Sequence, residues 1–238
     1  MDYKDYQVGK SSEDFWFKAK NNLIAILMDK TIKNENKKLK ILNIGVGTGD
    51  DLKILNKYGE NYIIDTNKKA LDLIDKSFYK DKKVADACKL PFKESFFDIV
   101  VAFDVFEHIQ NDKKAISEVY RVLKNKGKLI FSVPAFQFIF SSHDRALEHQ
   151  RRYNKKTLKN LLKNFKAVKL NYWNSSLFPL VAIMRIIKKN SKPKVEQPNS
   201  KIVNSICYFL LSLENQLIKY NFPLLPGLSI FGVAEKIN

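Results

Sequence analysis

The run Gly45-Val46-Gly47-Thr48-Gly49-Asp50 follows an apolar segment and opens an amphipathic one. Glycines at such a turn let the backbone bend sharply and come close to a ligand. The spacing is G-x-G-x-G, and Asp50 stands where a dinucleotide-binding loop has its third glycine. A carboxylate there repels the pyrophosphate that a helix N-terminus would otherwise attract. No Gly-Lys-Ser/Thr follows, which excludes a Walker phosphate loop. A phosphate-free ligand with a positive centre and an adenosine fits these constraints. Asp65 ends the next apolar run, sixteen residues beyond Gly49, placed to accept from two ribose hydroxyls. Asp86 follows Lys83–Ala85, placed to accept from an adenine amino group. Both fall at C-terminal strand ends, where α/β sheets bind ligands.

A second concentration of chemistry lies downstream. All three histidines, His108, His143 and His149, fall between residues 108 and 149. The segment from Ser142 to Tyr153 gathers His143, Asp144, His149, Arg151, Arg152 and Tyr153, too many polar groups for a core. We read it as an acceptor site. His143 or His149 would take a proton, His108 is a third catalytic candidate, and Arg151 and Arg152 would anchor a phosphate or carboxylate. His143, Asp144 and His149 are not spaced to share a helix face, and Cys88 and Cys207 are not paired, so no metal site is expected.

These residues need a frame. Short apolar runs at Lys40–Gly45, Asn61–Asp65, Lys83–Ala85, Phe97–Asp104 and Lys128–Val133 alternate with amphipathic stretches at 50–58, 67–78 and 111–124. That alternation predicts βαβ crossovers and a largely parallel sheet. Gly127 is placed as a helix C-cap. The segment 12–30 predicts an N-terminal helix with Phe15, Ala19, Leu23 and Ile26 on one stripe. Further on come a helix at 158–162, a strand at 167–173, apolar helices at 177–187 and 202–220, and a closing strand at 228–237. Residues 188–201, with five lysines, Pro193 and Pro198, read as an exposed loop. The whole chain, 1–238, is expected to form one domain: a cofactor-binding core at 40–134, a substrate-side segment at 135–165 and an apolar helical insertion at 174–227.

The ordered motifs ILNIGVGTGD, IIDTNKKAL, VADACKLPFKESFFDIVVAFDVFEHI and EVYRVLKNKGKLIFSVP resemble the S-adenosylmethionine-dependent methyltransferases of the Rossmann-like, type 11-like small-molecule branch. The resemblance implies an α/β fold with a seven-stranded sheet of order 3-2-1-4-5-7-6, its last strand antiparallel, flanked by helices. It assigns S-adenosyl-L-methionine as cofactor. Asn43, Gly45, Val46, Gly47 and Gly49 would surround its methionine part, Asp65 and Thr66 the ribose, Asp86 and Ala87 the adenine, and Phe103 and Asp104 the sulfonium. Asn43 stands where an acidic residue is usual, which removes a charge attraction to the cofactor ammonium. The His-Asp pair at 143–144 before His149-Gln150-Arg151-Arg152-Tyr153, with the start Phe15-Trp16-Phe17-Lys18-Ala19-Lys20, is similar to a subgroup linked to surface-polysaccharide or lipid metabolism. It adds Trp16 and Lys20 to the acceptor side.

Composition bounds the partners. Apolar residues make up 45% and charged residues 28%, ample for a core and incompatible with disorder throughout. The net charge is +17, yet only five of the 42 basic residues are arginine, and Lys, Asn and Ile abound. Such a charge favours anionic partners, although an AT-rich coding bias produces the same excess. The expected reaction is O-methylation of a saccharide, a lipid-linked saccharide or another small anionic acceptor. An RNA methyltransferase is an alternative, weakened by scattered basic residues. A membrane-peripheral module keeping the fold without the chemistry is another. The insertion, with Phe209, Leu210, Leu213, Leu217 and Tyr220 at helical spacing, would form core or a homodimer contact, hold a lipid chain, or lie on a membrane. A polar N-terminus and the lack of a spanning run predict a cytoplasmic protein.

Overall fold

The computed structural model describes residues 7, 9, 13–32, 38–192 and 200–237. The N-terminal pentapeptide, Lys194, Pro193 and Pro198 lie outside them. Seven strands form one sheet: β1 (Leu39–Ile44), β2 (Gly59–Asp65), β3 (Asp81–Val84), β4 (Phe97–Phe103), β5 (Leu123–Pro134), β6 (Phe165–Trp173) and β7 (Ser229–Lys236). Their order is β3-β2-β1-β4-β5-β7-β6, as expected. The pairs among β1 to β5 are parallel, and β7 runs antiparallel between β5 and β6.

The helices are α1 (Phe15–Thr31), α2 (Leu52–Leu55), α3 (Lys68–Asp72), α4 (Asp112–Val122), α5 (Ser142–Ala146), α6 (Lys155–Leu161), α7 (Phe178–Ile187) and α8 (Lys201–Lys219). The central strands are apolar on both faces because both are covered. Leu42, Val100, Leu129 and Phe131 pack with Ala115 and Val119 of α4 on one side. Ile41, Ile99, Val101 and Ile130 pack with Leu23, Ile24 and Met28 of α1 and Leu211 of α8 on the other.

Several predicted boundaries change. The stretch 67–78 is no single helix: α3 ends at Asp72, and Asp75 accepts from Ser77 N (2.8 Å) to start a separate 3₁₀ turn at Lys76–Phe78. Likewise 50–58 yields only the one-turn α2. Gly127 caps no helix. Helix α4 ends at Val122 and Gly127 lies within β5, where a Cβ would sit 2.7 Å from Lys124 O. On α1 the buried stripe is Ala19, Leu23, Ile24, Leu27 and Met28, while Ile26 is half-buried.

Of the alternatives left open for the α8 stripe, packing into the core is the one the structure does not give: Phe209 is 62% and Tyr220 67% exposed, and Leu213 and Leu217 are also open to solvent. The buried side holds Leu211, Glu214, Asn215 and Ile218. Asn215 Oδ1 accepts from Trp173 Nε1 (2.9 Å) and its amide donates to Ala19 O (2.8 Å). Glu214 accepts from Ser175 N, Ser176 N and Ser176 Oγ. These buried polar groups are therefore satisfied, which is the condition for their burial.

Candidate active site

A cleft of about 1240 Å³ runs along the C-terminal ends of the strands, from the glycine loop to α7 and α8. Two positive-φ glycines, Gly45 (65°) and Gly47 (54°), line its floor, and a third, Gly49 (81°), follows beneath them. A Cβ on Gly45 would lie 2.5 Å from Val105 Cγ2, so the loop and the β4 end approach closely only because that side chain is missing. Asp65 braces the loop: its carboxylate accepts from Gly47 N (2.9 Å) and from Asn67 N (2.8 Å). Asp86 accepts from Cys88 N (2.7 Å) at the β3 end. Asp104 adopts a left-handed backbone (φ 56°) directly after β4, the kind of strain that gathers at functional sites.

Of the expected cofactor residues, Gly45, Gly47, Asp65, Thr66, Asp86, Ala87, Phe103 and Asp104 line the cleft. Asn43, Val46 and Gly49 lie beneath it. Asn43 donates to Asp51 (2.9 Å), Val46 packs with Leu52, Ile63, Leu71 and Ile74, and a Cβ on Gly49 would touch Leu52. Burial raises the Asp51 carboxyl above its ordinary range.

Trp16 and Lys20 line the cleft from α1. Lys20 ion-pairs with Asp104, whose other oxygen accepts from Ser132 Oγ (2.9 Å). Burial pushes the Asp104 carboxyl upward, but Lys20 and the Ser132 hydroxyl outweigh it and hold it below the usual value.

His108, His143 and His149 all line the cleft. The rings of His108 and His149 meet edge-to-face at 4.7 Å. His149 is presented by a turn in which Gln150 N donates to Glu107 O (2.7 Å). Its Nδ1 bonds Asp144 Oδ1 (3.1 Å). Asp144 is fully buried and acts as a hub: it also bonds Arg152 Nε (2.7 Å), Arg185 Nη1 (3.3 Å) and Ser141 N (2.9 Å). Burial opposes its charge, but His149 and the two guanidiniums win and lower its pKa.

The arginines and the tyrosine differ from their expected role. Arg152 lines the cleft but commits Nε to Asp144 and Nη1 to Ala135 O (3.0 Å). Arg151 lies outside the lining, paired with Asp112 (2.9 Å) and bonded to Gln110 O. Tyr153 is buried, donating to Phe106 O and Asp112; burial and Asp112 raise its pKa. The structure thus gives Asp144, Arg151 and Tyr153 supporting contacts around the cleft.

Sequence reasoning missed Arg185, the one charge in an apolar helix, which reaches Asp144 from α7. It also passed over Glu107, fully buried in the cleft wall with both carboxylate oxygens unpartnered. Burial, reinforced by Asp104, raises the Glu107 pKa well above the ordinary glutamate range. The signal for each was a charged residue inside an apolar stretch.

A twisted parallel sheet carrying a glycine loop at β1 and carboxylates at the ends of β2, β3 and β4 defines a Rossmann-like cofactor-binding protein. Residues 42–131 match the family described as Methyltransferase domain. An uncharacterized Methanocaldococcus jannaschii protein is 34% identical over 174 residues, 71% of this chain and 61% of its own length. The ubiquinone/menaquinone biosynthesis C-methyltransferase UbiE of Wigglesworthia glossinidia brevipalpis is 34% identical over 119 residues, 44% of this chain and 48% of its own. This chain thus spans about half the length of the curated relatives it matches. A SAM-dependent methyltransferase from Archaeoglobus fulgidus shares the fold, with TM-score 0.57 at 19% identity over 93% of this chain and 99% of that one. Residues 42–131 thus carry the likeness to a methyltransferase domain, and solved S-adenosylmethionine-dependent methyltransferases share the fold of the chain.

The residues fit that cofactor. The glycine-loop end presents Asp65, Asp86 and Asp104, which suit ribose hydroxyls, an adenine amine and a sulfonium, and Gly45 offers its backbone to the cleft while Val105 leaves no room for a side chain there.

Proposed function

We propose that this protein methylates an oxygen of an amphipathic anionic acceptor, such as a lipid-linked saccharide, at an anionic membrane surface. The observation that carries this reading is the continuity of the cleft. It runs from the glycine loop past the histidines to Leu177, Leu180, Met184, Val203 and Cys207 of the apolar insertion. The outer faces of α7 and α8 expose Leu180, Ile183, Ile187, Ile202, Ile206 and Phe209, each more than half open to solvent. The exposed Lys188, Lys189, Lys192 and Lys201 lie at the end of α7, just beyond it and at the start of α8. An apolar face flanked by lysines matches a bilayer with anionic head groups. Among the described residues no helix is long and apolar enough to cross a membrane, so the contact would be peripheral.

S-adenosylmethionine supplies an electrophilic methyl carbon on a departing sulfonium. The chain's work is to hold that group and the acceptor in line. Asp65 and the Gly45–Gly49 backbone position the cofactor. Asp144 fixes the His149 ring, and His143 or His149 accepts the hydroxyl proton. Arg185 and Lys188, beside the cleft, draw the acidic acceptor group.

The test incubates the full chain with methyl-labelled cofactor and a membrane extract. Label should enter an organic-soluble acidic fraction and be lost in Asp65→Ala. Label confined to RNA, or none, would overturn the reading. A second reading, methylation of a ring carbon on an apolar-tailed acceptor, is favoured by the name of the UbiE relative. A methoxy rather than a C-methyl carbon resonance in the product separates the two. Co-sedimentation with phosphatidylglycerol vesicles tests the membrane contact; dimerisation without vesicle binding would overturn that part.

A further inference from the structure

Glu107, His108 and His149 come from two distant parts of the chain, yet one ligand atom of each lies within 4.8 Å of the others. We propose that they form a binding site for a divalent first-row transition ion at the acceptor end of the cleft. Glu107 is 0% exposed and neither carboxylate oxygen has a hydrogen-bond partner. A carboxylate so enclosed is costly unless a cation joins it. All three side chains face the same cleft.

The surroundings are those of a metal-ligating imidazole. Asp144 Oδ1 holds His149 Nδ1 at 3.1 Å, which leaves Nε2 as the nitrogen for a ligand. A buried carboxylate behind a histidine fixes its tautomer and raises its basicity toward a metal. The backbone bond from Gln150 N to Glu107 O ties the two halves of the site together. One carboxylate and two imidazoles, with the remaining positions open to the cleft, suit Mn²⁺, Fe²⁺, Co²⁺ or Zn²⁺ rather than Ca²⁺.

Ion binding stands on this geometry alone; its place in the reaction rests on the methyl-transfer reading above. There the ion would hold the acceptor oxygen as a Lewis acid and ease loss of its proton. His149 would then be occupied as a ligand, leaving His143 to accept the proton. Oxygen forms its bond to the methyl carbon as the carbon–sulfur bond breaks, and S-adenosylhomocysteine leaves.

The test titrates chelator-stripped full chain with MnCl₂ and ZnCl₂ by calorimetry, without cofactor or acceptor. One ion per chain is expected, with at least tenfold weaker binding in Glu107→Gln and in His149→Ala, each checked for a cooperative melt. Wild-type protein with CoCl₂ should show visible d–d absorption that one equivalent of ZnCl₂ displaces, a readout that needs no variant. Failure of all three ions to bind stoichiometrically, or binding indifferent to Glu107→Gln, would overturn the site. Cofactor affinity is titrated separately. Its loss beside intact ion binding would sink the methyl-transfer reading while supporting this site.

Discussion

The strands around the glycine loop and the helical insertion between β6 and β7 sort their side chains in opposite ways. Along β1 and β4 nearly every residue is apolar and buried, the polar exceptions being Lys40 and Asp98 near the N-terminal ends and Asn43 beneath the glycine loop. On α8 the interior holds Glu214 and Asn215 beside Leu211 and Ile218, while Ile202, Ile206, Phe209 and Tyr220 look outward. In the first region burial of apolar surface alone accounts for the fold. In the second, hydrogen bonds to Trp173, Ala19, Ser175 and Ser176 fix the docking of the helix, and its apolar face stays available for something else. The proposed membrane contact would cover this exposed apolar surface.

The contrast can be broken at defined points. Asp144→Ala should have the largest effect, because it strands Arg152, Arg185 and His149 around a buried void. Breaking one side of a buried ion pair costs about 3–5 kcal/mol, read as a fall in Tm of roughly 10 °C. Since the folded-state pKa of Asp144 is depressed, its contribution is present above the usual carboxylate range near pH ~4. It is lost as pH falls toward the folded value, so the gap in stability between wild type and Asp144→Asn should narrow in acid.

Gly45→Ala should come next. Its Cβ would meet Val105 at 2.5 Å in a left-handed backbone, and cofactor affinity should drop about a hundredfold, ~2.7 kcal/mol, in a calorimetric titration. Asn215→Leu tests the inverted helix: loss of two buried hydrogen bonds should cost about 2 kcal/mol by chemical denaturation. If it instead stabilises the protein, hydrogen bonding does not hold α8 in place. Smallest in stability is Phe209→Ser, within about 0.5 kcal/mol, yet it should weaken vesicle binding several-fold.

The same contrast governs what could be read from the sequence. The strands and the cleft-lining Asp65, Asp86 and Asp104 were legible because period, glycine spacing and strand-end position agree there, whereas the strand order came from the resemblance carried by the ordered motifs. For the insertion the sequence leaves core, homodimer, lipid and membrane contact open, because helical spacing marks a stripe without saying which way it faces. Phe209 to Tyr220 has the period of a core stripe and lies outside. Gly127 failed as a cap because β5 begins directly after α4, with no turn between them. Arg151 and Tyr153 were misjudged because Asp112, their partner, lies about forty residues away in sequence, and such pairing leaves no local trace. Glu107 escaped notice for the same reason: its company with His149 exists only in three dimensions.

Trp173 and Ser229 stand opposite one another in the β6–β7 ladder. The chain between them therefore departs and returns at the same rung, and the neck is pinched shut where a Cβ on Gly227 would strike Trp173 O at 2.2 Å. Closing a longer or shorter excursion from a fixed neck changes the entropy only slowly with length. The inner residues Leu211, Asn215 and Ile218 tie this excursion to α1 and the sheet. Exchanging the exposed outer residues of α7 and α8 while keeping those three should therefore redirect what the cleft recognises and leave the seven-stranded scaffold in register.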